Sequence, residues 1–486
     1  MGTNSEGAGQ GGRKVSGWAA IAGLEAASRL FLQVLTTAVL ARLLTPDDFG
    51  TTALVLTVVT IFNVFVAVPF EEPLSQRKHL RGIHVRTALA ASWAMGLLFL
   101  ALSVPVGWGL GQHYDLPQLA LLLPAASLML FPNVAVVMAT AVARRRRAFN
   151  AIALSSLVGN VVGTVAAIGL GFLGAGLWAL IAFRVAAIFA QAIVLVWLVG
   201  MSLKPAWSRR HYTDLAGFAW TILWDRLTDN LTYLLFNFMV ASMFGIGVLG
   251  QFNMAMRVIE PVRGAVIAVS HNLSFALFLP AAHGAGGLGL LVRRFCARTA
   301  LVTSPIFFGI AAVAPLLVPV LAGPGWEQAV LIAQILGIGG GLVTATQLVI
   351  TALSALGRPQ YSLWRGVTRL AVIVAALASI GPFGAVAVGL SRLAGDLTDT
   401  LGALVLARWR LAIPLRRLLG DLVRPLACSG LMAGAVALAG PLLHARLGEI
   451  GGLAAAVALG AVLYPALLAL LDREGLSAVL AAVRRR

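Results

Sequence analysis

The chain has 486 residues, of which 59% are hydrophobic and only 11% are charged, and its mean hydropathy is +0.92. So small a polar fraction excludes a water-soluble fold of this size and predicts an all-α integral membrane protein. The formal net charge of +18 does not indicate nucleic-acid binding, because the basic residues lie in short loops between apolar stretches and form no soluble basic domain.

About fourteen apolar stretches reach the roughly 20 residues that a helix needs to cross a bilayer. In chain order they are 17–41, 49–69, 86–110, 118–142, 151–172, 175–199, 214–240, 246–269, 299–321, 327–355, 361–381, 383–407, 425–445 and 450–471. The segment 270–298 has an apolar part too short to span comfortably and ends in arginines. It is predicted to be an interfacial amphipathic connector.

Basic clusters recur only after every second apolar stretch. They comprise Arg13 and Lys14; Arg77, Lys78, Arg81 and Arg86; the four arginines at 144–147; Lys204, Arg209 and Arg210; Arg293, Arg294 and Arg298; Arg358, Arg365 and Arg369; Arg408, Arg410, Arg416, Arg417 and Arg424; and Arg473 with the arginines at 484–486. This asymmetry predicts a multi-pass protein of the bacterial cytoplasmic (inner) membrane with both termini in the cytoplasm. The run at 144–147 is predicted to anchor this orientation, with capture of anionic lipid head groups as the alternative.

A weak internal repeat is found when the sequence is aligned with itself at an offset of 200 residues, which places Ala41 over Ala241 and Gly50 over Gly250. Two repeats related by an axis along the membrane normal are typical of transporters. The predicted division is a cytoplasmic tail at 1–14, an N-terminal six-helix bundle at 15–205, a C-terminal six-helix bundle at 206–410, and two extra helices with a basic tail at 411–486.

Charged residues inside the predicted spans are the main functional question, because each costs at least about 2.5 kcal/mol on insertion scales and normally faces a bundle interior or aqueous cavity. The candidate cations are Arg29, Arg184, Arg226, Arg257 and Arg392, and the candidate coupling or ion-pair carboxylates are Glu25, Asp225, Asp229, Glu260, Asp396 and Asp399. One interpretation is a set of salt bridges that lock the helices together. The other, which the set as a whole favours, is a polar central cavity whose guanidinium groups bind an anionic head group.

Three further patterns have structural or functional interpretations. Glu71 and Glu72 follow the second stretch and are either solvated or a gate pair. The spacings Gly159 with Gly163, Gly337 with Gly341, and Gly430 with Gly434 permit close helix approach. Cys296 and Cys428 are predicted to be small apolar fillers, and we predict no catalytic residue, metal site or cofactor, since no residue pattern for one occurs.

Several segments resemble a known family, the Wzx-type oligosaccharide flippases of the multidrug/oligosaccharidyl-lipid/polysaccharide exporter superfamily. They are ARLLTPDDFGTTALVLTVVTIFN at 41–63, PLSQRKHL at 73–80, GFLGAGLWALIA at 171–182, VLGQFNMAMRV at 248–258, GPGWEQAVLIAQILGIGGGL at 323–342 and ALGRPQ at 355–360. PFEEPLSQRK departs from the family, in which many members have an uncharged Gly-rich run before the Gln-Arg.

The resemblance implies two six-helix bundles in a V-shaped MATE-like arrangement, a cationic central cavity and alternating access. The implied cargo is an undecaprenyl pyrophosphate-linked oligosaccharide for exopolysaccharide, capsule or O-antigen synthesis. The implied partners are this lipid-linked oligosaccharide, membrane lipids and the polysaccharide polymerase, with a monomeric transport unit.

Two alternatives follow from the same residues. A drug/cation antiporter of the same superfamily would need acidic groups to dominate its cavity, whereas charges in these spans are balanced or slightly basic. A membrane glycosyltransferase or polymerase would need a sizeable domain outside the membrane, and no loop is long enough to form one. The sequence therefore predicts a carrier and not an enzyme.

Overall fold

The computed structural model describes residues 27–76, 80–283, 287–356 and 360–472, and the regular structure in these ranges is helical. Residues 27–43 form α1. The chain continues through α2 (Pro46–Val66), α3 (Val68–Gln76), α4 (Gly82–His113), α5 (Leu119–Ser127), α6 (Leu130–Arg145), α7 (Phe149–Phe172), α8 (Trp178–Val199), α9 (Arg209–Phe244), α10 (Ile246–His283), α11 (Leu288–Ala322), α12 (Glu327–Ala355), α13 (Gln360–Ile380), a 3₁₀ turn (Gly381–Phe383), α14 (Ala385–Arg410) and α15 (Leu415–Leu471).

Eight helices within the described ranges are long and apolar enough to cross a membrane. Large apolar side chains such as Phe172, Leu173 and Leu438 are more than 70% exposed, which a water-soluble surface would not favour. The protein is therefore a multi-pass, all-helical membrane protein, as the composition predicts.

The chain divides into two compact units, Met1–Phe238 and Met239–Arg486. The boundary falls inside α9, later than the boundary predicted at 205/206. The four-part division stays a prediction.

The first unit has a core between α2, α4, α5 and α6, in which Val55, Leu89, Leu122 and Met138 are buried together. The start of α2 is specified locally by the sequence TPDDF, which the resemblance includes. The Thr45 hydroxyl accepts from the Asp48 amide at 3.3 Å, and the Asp48 carboxylate accepts from the Thr45 amide at 2.9 Å, with proline in the first turn. This capping box stabilises the helix by satisfying amides that have no partner within it.

The second unit has one core around Phe278, Val349 and Ile350 and another around Met432 and Tyr464. A second family segment, GPGWEQ, also has a local structural role. The Gln251 side chain of α10 donates to the Gly325 carbonyl at 2.6 Å and accepts from the Ala329 amide at 2.9 Å. It thereby ties α10 to the turn that begins α12.

The last helix, α15, is broken at Gly448, whose φ of 74° lies in the left-handed region that glycine tolerates. Gly460 lies against Met432 and Val436, and Arg424 pairs with Asp472. The two halves are therefore antiparallel, in agreement with the spans predicted at 425–445 and 450–471.

The predicted connector at 270–298 is not a separate element. Residues up to His283 prolong α10, and α11 begins at Leu288. A helix of 38 residues is about 57 Å long, well beyond the roughly 30 Å hydrocarbon core. Helical hydrogen bonding thus continues past the end of the apolar span and past Pro261, which does not end α10. The interfacial position of 270–298 stays a prediction.

Two of the three Gly-x-x-x-Gly pairs lie at close helix contacts. A Cβ atom at Gly159 or Gly163 of α7 would lie 2.7 Å from a backbone oxygen of α8, and one at Gly337 of α12 would lie 2.8 Å from the Phe307 oxygen of α11. Gly430 and Gly434 are different, because the nearest described neighbour of such a Cβ is 3.9 Å away at Gly430 and more than 4 Å away at Gly434.

Candidate functional site

Three helices of the second unit bring seven charged side chains into one largely buried group, which we call the charge cluster. It consists of Glu260 and Arg263 on α10, Arg365 and Arg369 on α13, and Arg392, Asp396 and Asp399 on α14. All seven lie within Met239–Arg486.

Asp396 is the most buried member, with 1% of its side chain exposed. Its Oδ2 atom accepts from Arg263 Nη2 at 3.3 Å, so that it ties α14 to α10. On its other side Arg369 Nη2 is 3.9 Å from Asp396 Oδ1. Arg263 also lies 3.8 Å from Glu260, which is on the same helix and more exposed.

Asp399 is 3% exposed and ties α14 to α13. Arg369 Nη1 donates to its Oδ2 atom at 3.3 Å, and Arg365 Nε is 3.9 Å from its Oδ1 atom. Arg365 in turn donates to the Gln347 amide oxygen on α12 at 2.7 Å. Arg369 therefore bridges both carboxylates, and Arg365 extends the cluster to a fourth helix.

Local sequence explains how these groups converge. Arg392, Asp396 and Asp399 recur at i, i+4 and i+7, and residues at this spacing share one helix face. Glycines allow the neighbouring helices to approach: a Cβ at Gly339 of α12 would lie 2.8 Å from Asp396 Oδ2, and one at Gly395 would lie 2.7 Å from Ile373 of α13. The GIGGG run at 337–341 is thus a packing surface.

The charge cluster contains four guanidinium groups and three carboxylates, so it carries one excess positive charge. Arg392 is only 8% exposed, and its Nε atom has no hydrogen-bond partner among the described residues. The Oδ1 atoms of Asp396 and Asp399 are also buried and have no hydrogen-bond partner among the described residues. A buried polar group left unpaired costs about 1–3 kcal/mol. Within the described ranges the cluster therefore keeps unused guanidinium donors, Arg392 Nε among them, beside two unused carboxylate acceptors.

A family model described as "Polysaccharide biosynthesis protein" matches residues 39–331, which is more than half of the chain. The chain belongs to this family. The succinoglycan biosynthesis transport protein ExoT of Rhizobium meliloti (strain 1021) is 24% identical over 357 residues, covering 71% of this chain and 70% of the relative.

Solved structures share the fold. The lipid II flippase MurJ in an inward closed conformation superimposes with a TM-score of 0.75 at 10% identity, covering 94% of this chain and 99% of that one. An inward-facing multidrug resistance MATE transporter gives a TM-score of 0.58 at 15% identity, covering 80% and 95%. These matches show that the chain has the MATE-like fold that the sequence predicts. The relatives are transporters and flippases by name, in agreement with the prediction of a carrier and not an enzyme.

The charge cluster contains four of the predicted site residues: Arg392, Glu260, Asp396 and Asp399. Arg257 lies on α10 one turn before Glu260 and is half-buried.

Other predicted site residues belong to the first unit or lie outside the described part of the chain. Arg29, Arg184 and Arg226 belong to the first unit and have exposed side chains, with Arg184 lying 5.7 Å from the centre of the Phe183 ring. Glu25 lies outside the described residues, as do the side chains of Asp225 and Asp229.

Sequence reasoning missed Arg365 and Arg369, which it assigned to an orientation-determining loop cluster. The structure places both on α13, where they pair with Asp396 and Asp399. Arg263 of α10 was also not among the predicted site residues. A signal that could have identified Arg365 and Arg369 is their i, i+4 spacing within an apolar stretch. The following stretch carries carboxylates at a similar spacing, i and i+3.

Glu71, at the end of the second stretch, forms an ion pair with Arg144, whose Nη1 atom lies 3.0 Å from its Oε1 atom. Both side chains are partly exposed, so the pair contributes at most about 1 kcal/mol to stability. The side chain of Glu72 lies outside the described part. No group of three or more His, Cys, Asp or Glu residues suited to a metal ion occurs in the described ranges.

Proposed function

We propose that this protein flips undecaprenyl pyrophosphate-linked oligosaccharide repeat units from the cytoplasmic to the periplasmic leaflet of the bacterial cytoplasmic membrane, for exopolysaccharide, capsule or O-antigen synthesis. The observation that carries this proposal is the polysaccharide biosynthesis family match across 39–331. A relative named as a succinoglycan transport protein and a fold shared with a lipid II flippase support it.

The charge cluster supports an anionic cargo. Its arginines outnumber its carboxylates, and each phosphate of a diphosphate presents pairs of oxygen atoms that a planar guanidinium group binds in bidentate fashion. In this proposal Arg392 and Arg369 supply cationic groups of the second unit that meet the cargo. The roles of Arg29, Arg184, Arg226 and Arg257 in binding the anionic head group stay predictions. Asp396 and Asp399 neutralise part of this charge when the cargo is absent.

The interhelical pairs suggest how cargo binding changes the conformation. Arg263 with Asp396 joins α10 to α14, and Arg369 with Asp399 joins α13 to α14. A diphosphate that competes with these carboxylates for arginine would loosen both joints, and so would bind the loosened state more tightly. The same carboxylates, together with Glu25, Asp225, Asp229 and Glu260, are the candidates for coupling to an ion gradient.

We include in the proposal a monomeric transport unit in the inner membrane, with both termini cytoplasmic and with the polysaccharide polymerase as functional partner. A drug/cation antiporter is the second candidate, supported by the fold shared with a MATE transporter. The excess of arginine in the charge cluster disfavours a cationic drug as cargo, because like charges repel in a low-dielectric site.

The test is mass spectrometry of lipid extracts from cells with and without the protein, grown under conditions that induce polysaccharide synthesis. Depleted cells should accumulate the complete undecaprenyl pyrophosphate-linked oligosaccharide and lose surface polymer, because the precursor is made but not moved. An unchanged lipid pool with intact polymer would overturn the proposal and favour export of small soluble compounds.

Complementation at equal protein level extends this experiment to the charge cluster. Wild-type protein should restore the lipid pool, and Arg392→Gln should restore it poorly. Arg408→Gln is the matched control, since this arginine lies on the same helix but is exposed in its last turn. Equal restoration by both variants would exclude a role for Arg392 in transport.

A further inference from the structure

The first unit contains a cavity lined by four arginines, which we call the arginine pocket. It has a volume of about 440 Å³ and lies where the start of α4, the end of α6 and the segment after α8 meet. Arg81, Arg86, Arg145 and Arg146 line it, and Ser202 adds a hydroxyl. Of the run at 144–147, Arg145 and Arg146 line this pocket, whereas Arg144 pairs with Glu71.

Two of these guanidinium groups are held in place by neutral backbone acceptors. Arg86 Nε donates to the Lys204 carbonyl at 2.9 Å, and Arg146 Nη1 donates to the Val199 carbonyl. A carbonyl orients an arginine without cancelling its charge. None of the residues that line the pocket in the described structure is acidic, so the lining is cationic and partly preorganised.

An apolar groove of about 610 Å³ adjoins the arginine pocket. Trp93, Phe131, Phe189 and Trp197 line it, and it shares Gly200 and Met201 with the pocket. Trp197 is 78% exposed, so the groove is open along the outside of α8. From Phe189 to Gly200 the helix rises about 16 Å, close to half of the roughly 30 Å hydrocarbon core.

We propose that the arginine pocket and the apolar groove together bind one anionic phospholipid of the surrounding membrane, with its phosphate among the arginines and an acyl chain along α8. A cationic end joined to an apolar groove one leaflet long matches a phosphate-bearing amphiphile in charge and in length. In the described structure neither lining contains Asn, Gln, Asp or Glu, the amide and carboxylate side chains that commonly accept hydrogen bonds from sugar hydroxyls. This favours a membrane phospholipid over the glycolipid cargo.

The proposal places this lipid in the cytoplasmic leaflet, because Arg81, Arg86 and the run at 144–147 belong to the clusters predicted to face the cytoplasm. It is independent of transport, since the site is defined within the first unit and its occupant is not the cargo.

Native mass spectrometry of the purified full chain in detergent tests the proposal, with phosphatidylglycerol and phosphatidylcholine as probes. The wild type should retain phosphatidylglycerol in preference. Arg86→Gln with Arg146→Gln should weaken this retention about 30-fold, since each arginine near an anionic surface contributes roughly fivefold. The matched control is Arg416→Gln with Arg417→Gln, which removes the same charge from exposed positions in the first turn of α15 and should leave retention unchanged.

Further arms separate the sources of phosphate. Inorganic phosphate at the same concentration should not displace the lipid, and Trp197→Gln should weaken retention because it removes apolar contact with the chain. Displacement by inorganic phosphate would show a free-phosphate site, and tighter binding of a polyprenyl diphosphate at the same arginines would show a cargo site. Either result, or equal loss in the control pair, overturns the proposal.

Size-exclusion profiles identify variants that fail to fold. If the double variant is not monodisperse, Arg86→Gln and Arg146→Gln are measured singly, each with an expected loss of about fivefold. Unchanged retention in both folded single variants would also overturn the proposal.

Discussion

At the scale of single residues, Asp396 and Asp399 are two buried carboxylates of the second unit. Each is almost fully buried and each contacts arginine on another helix. A buried charge that loses its partner costs much more than a surface charge, because water no longer compensates it. Substitutions in the charge cluster are therefore expected to lower the stability of the protein as well as the proposed transport.

Asp396→Asn should lower the free energy of unfolding by about 3 kcal/mol, since it leaves Arg263 and Arg369 without the carboxylate between them. Thermal unfolding of purified protein in detergent measures the effect as a lowered midpoint.

The control for this change is Asp421→Asn. Asp421 pairs with Arg293 at 2.8 Å, and its side chain is 32% exposed, against 1% for Asp396. Its loss should cost less than about 1 kcal/mol. Equal midpoints for the two variants would contradict the assignment of Asp396 as a buried ionic joint.

At the scale of helices, small residues decide how closely the elements approach. The same Gly-x-x-x-Gly spacing occurs in α7, α12 and α15, but only the first two pairs lie in close contact with a neighbouring helix in the described structure. The motif permits close packing, whereas the neighbour determines whether it is used.

Gly163→Ala should destabilise the protein by about 1–3 kcal/mol, because the new methyl group would lie 2.7 Å from the Phe183 oxygen and 2.8 Å from Ala187 Cβ. The readout is again the unfolding midpoint in detergent.

Gly434→Ala provides the comparison within another helix. No described atom lies within 4 Å of the added methyl group. Alanine also favours a helix over glycine by up to about 1 kcal/mol, so this variant should be as stable as the wild type or slightly more stable. A larger loss at Gly434 than at Gly163 would refute the packing argument.

At the scale of the whole molecule, the distribution of arginine determines the predicted orientation. Clusters such as Lys204 with Arg209 and Arg210 alternate with connections that carry almost no basic residues, as around Gly448. A single rule, retention of positive loops in the cytoplasm, accounts for this alternation.

Reporter fusions test the orientation. Green fluorescent protein joined after Arg210 or after Arg486 should fluoresce, because it folds in the cytoplasm, and alkaline phosphatase at these positions should be inactive. Alkaline phosphatase joined after Arg446, near the break in α15, should be active. Activity in the opposite set would reverse the predicted topology.

Much of the helical pattern was predictable, because crossing a bilayer requires about 20 apolar residues and stretches of this length are evident in the sequence. The start of α2 has a local cause in the sequence, the Thr45–Asp48 capping box, which places it three residues before the predicted span at 49–69. The continuation of α10 to His283 was not predictable, since a helix end outside the apolar core leaves no hydropathy signal.

The candidate site was predictable only in part. Arg392, Asp396 and Asp399 are visible in the sequence as charges on one helix face. Arg365 and Arg369 were assigned to orientation, because one sequence pattern serves both a basic loop and an ion-pairing helix.

The sequence alone determined the features that depend on residues close together in the chain. These are insertion into a membrane, the alternation of basic loops, and helix starts and breaks such as the one at Gly448. Hydropathy, charge sidedness and capping depend on neighbours within a few residues, so a reader of the chain can evaluate them. The tertiary structure decided which charges meet. Arg263 and Asp396 are 133 residues apart, and only the packing of α10 against α14 brings their charges within 3.3 Å of each other.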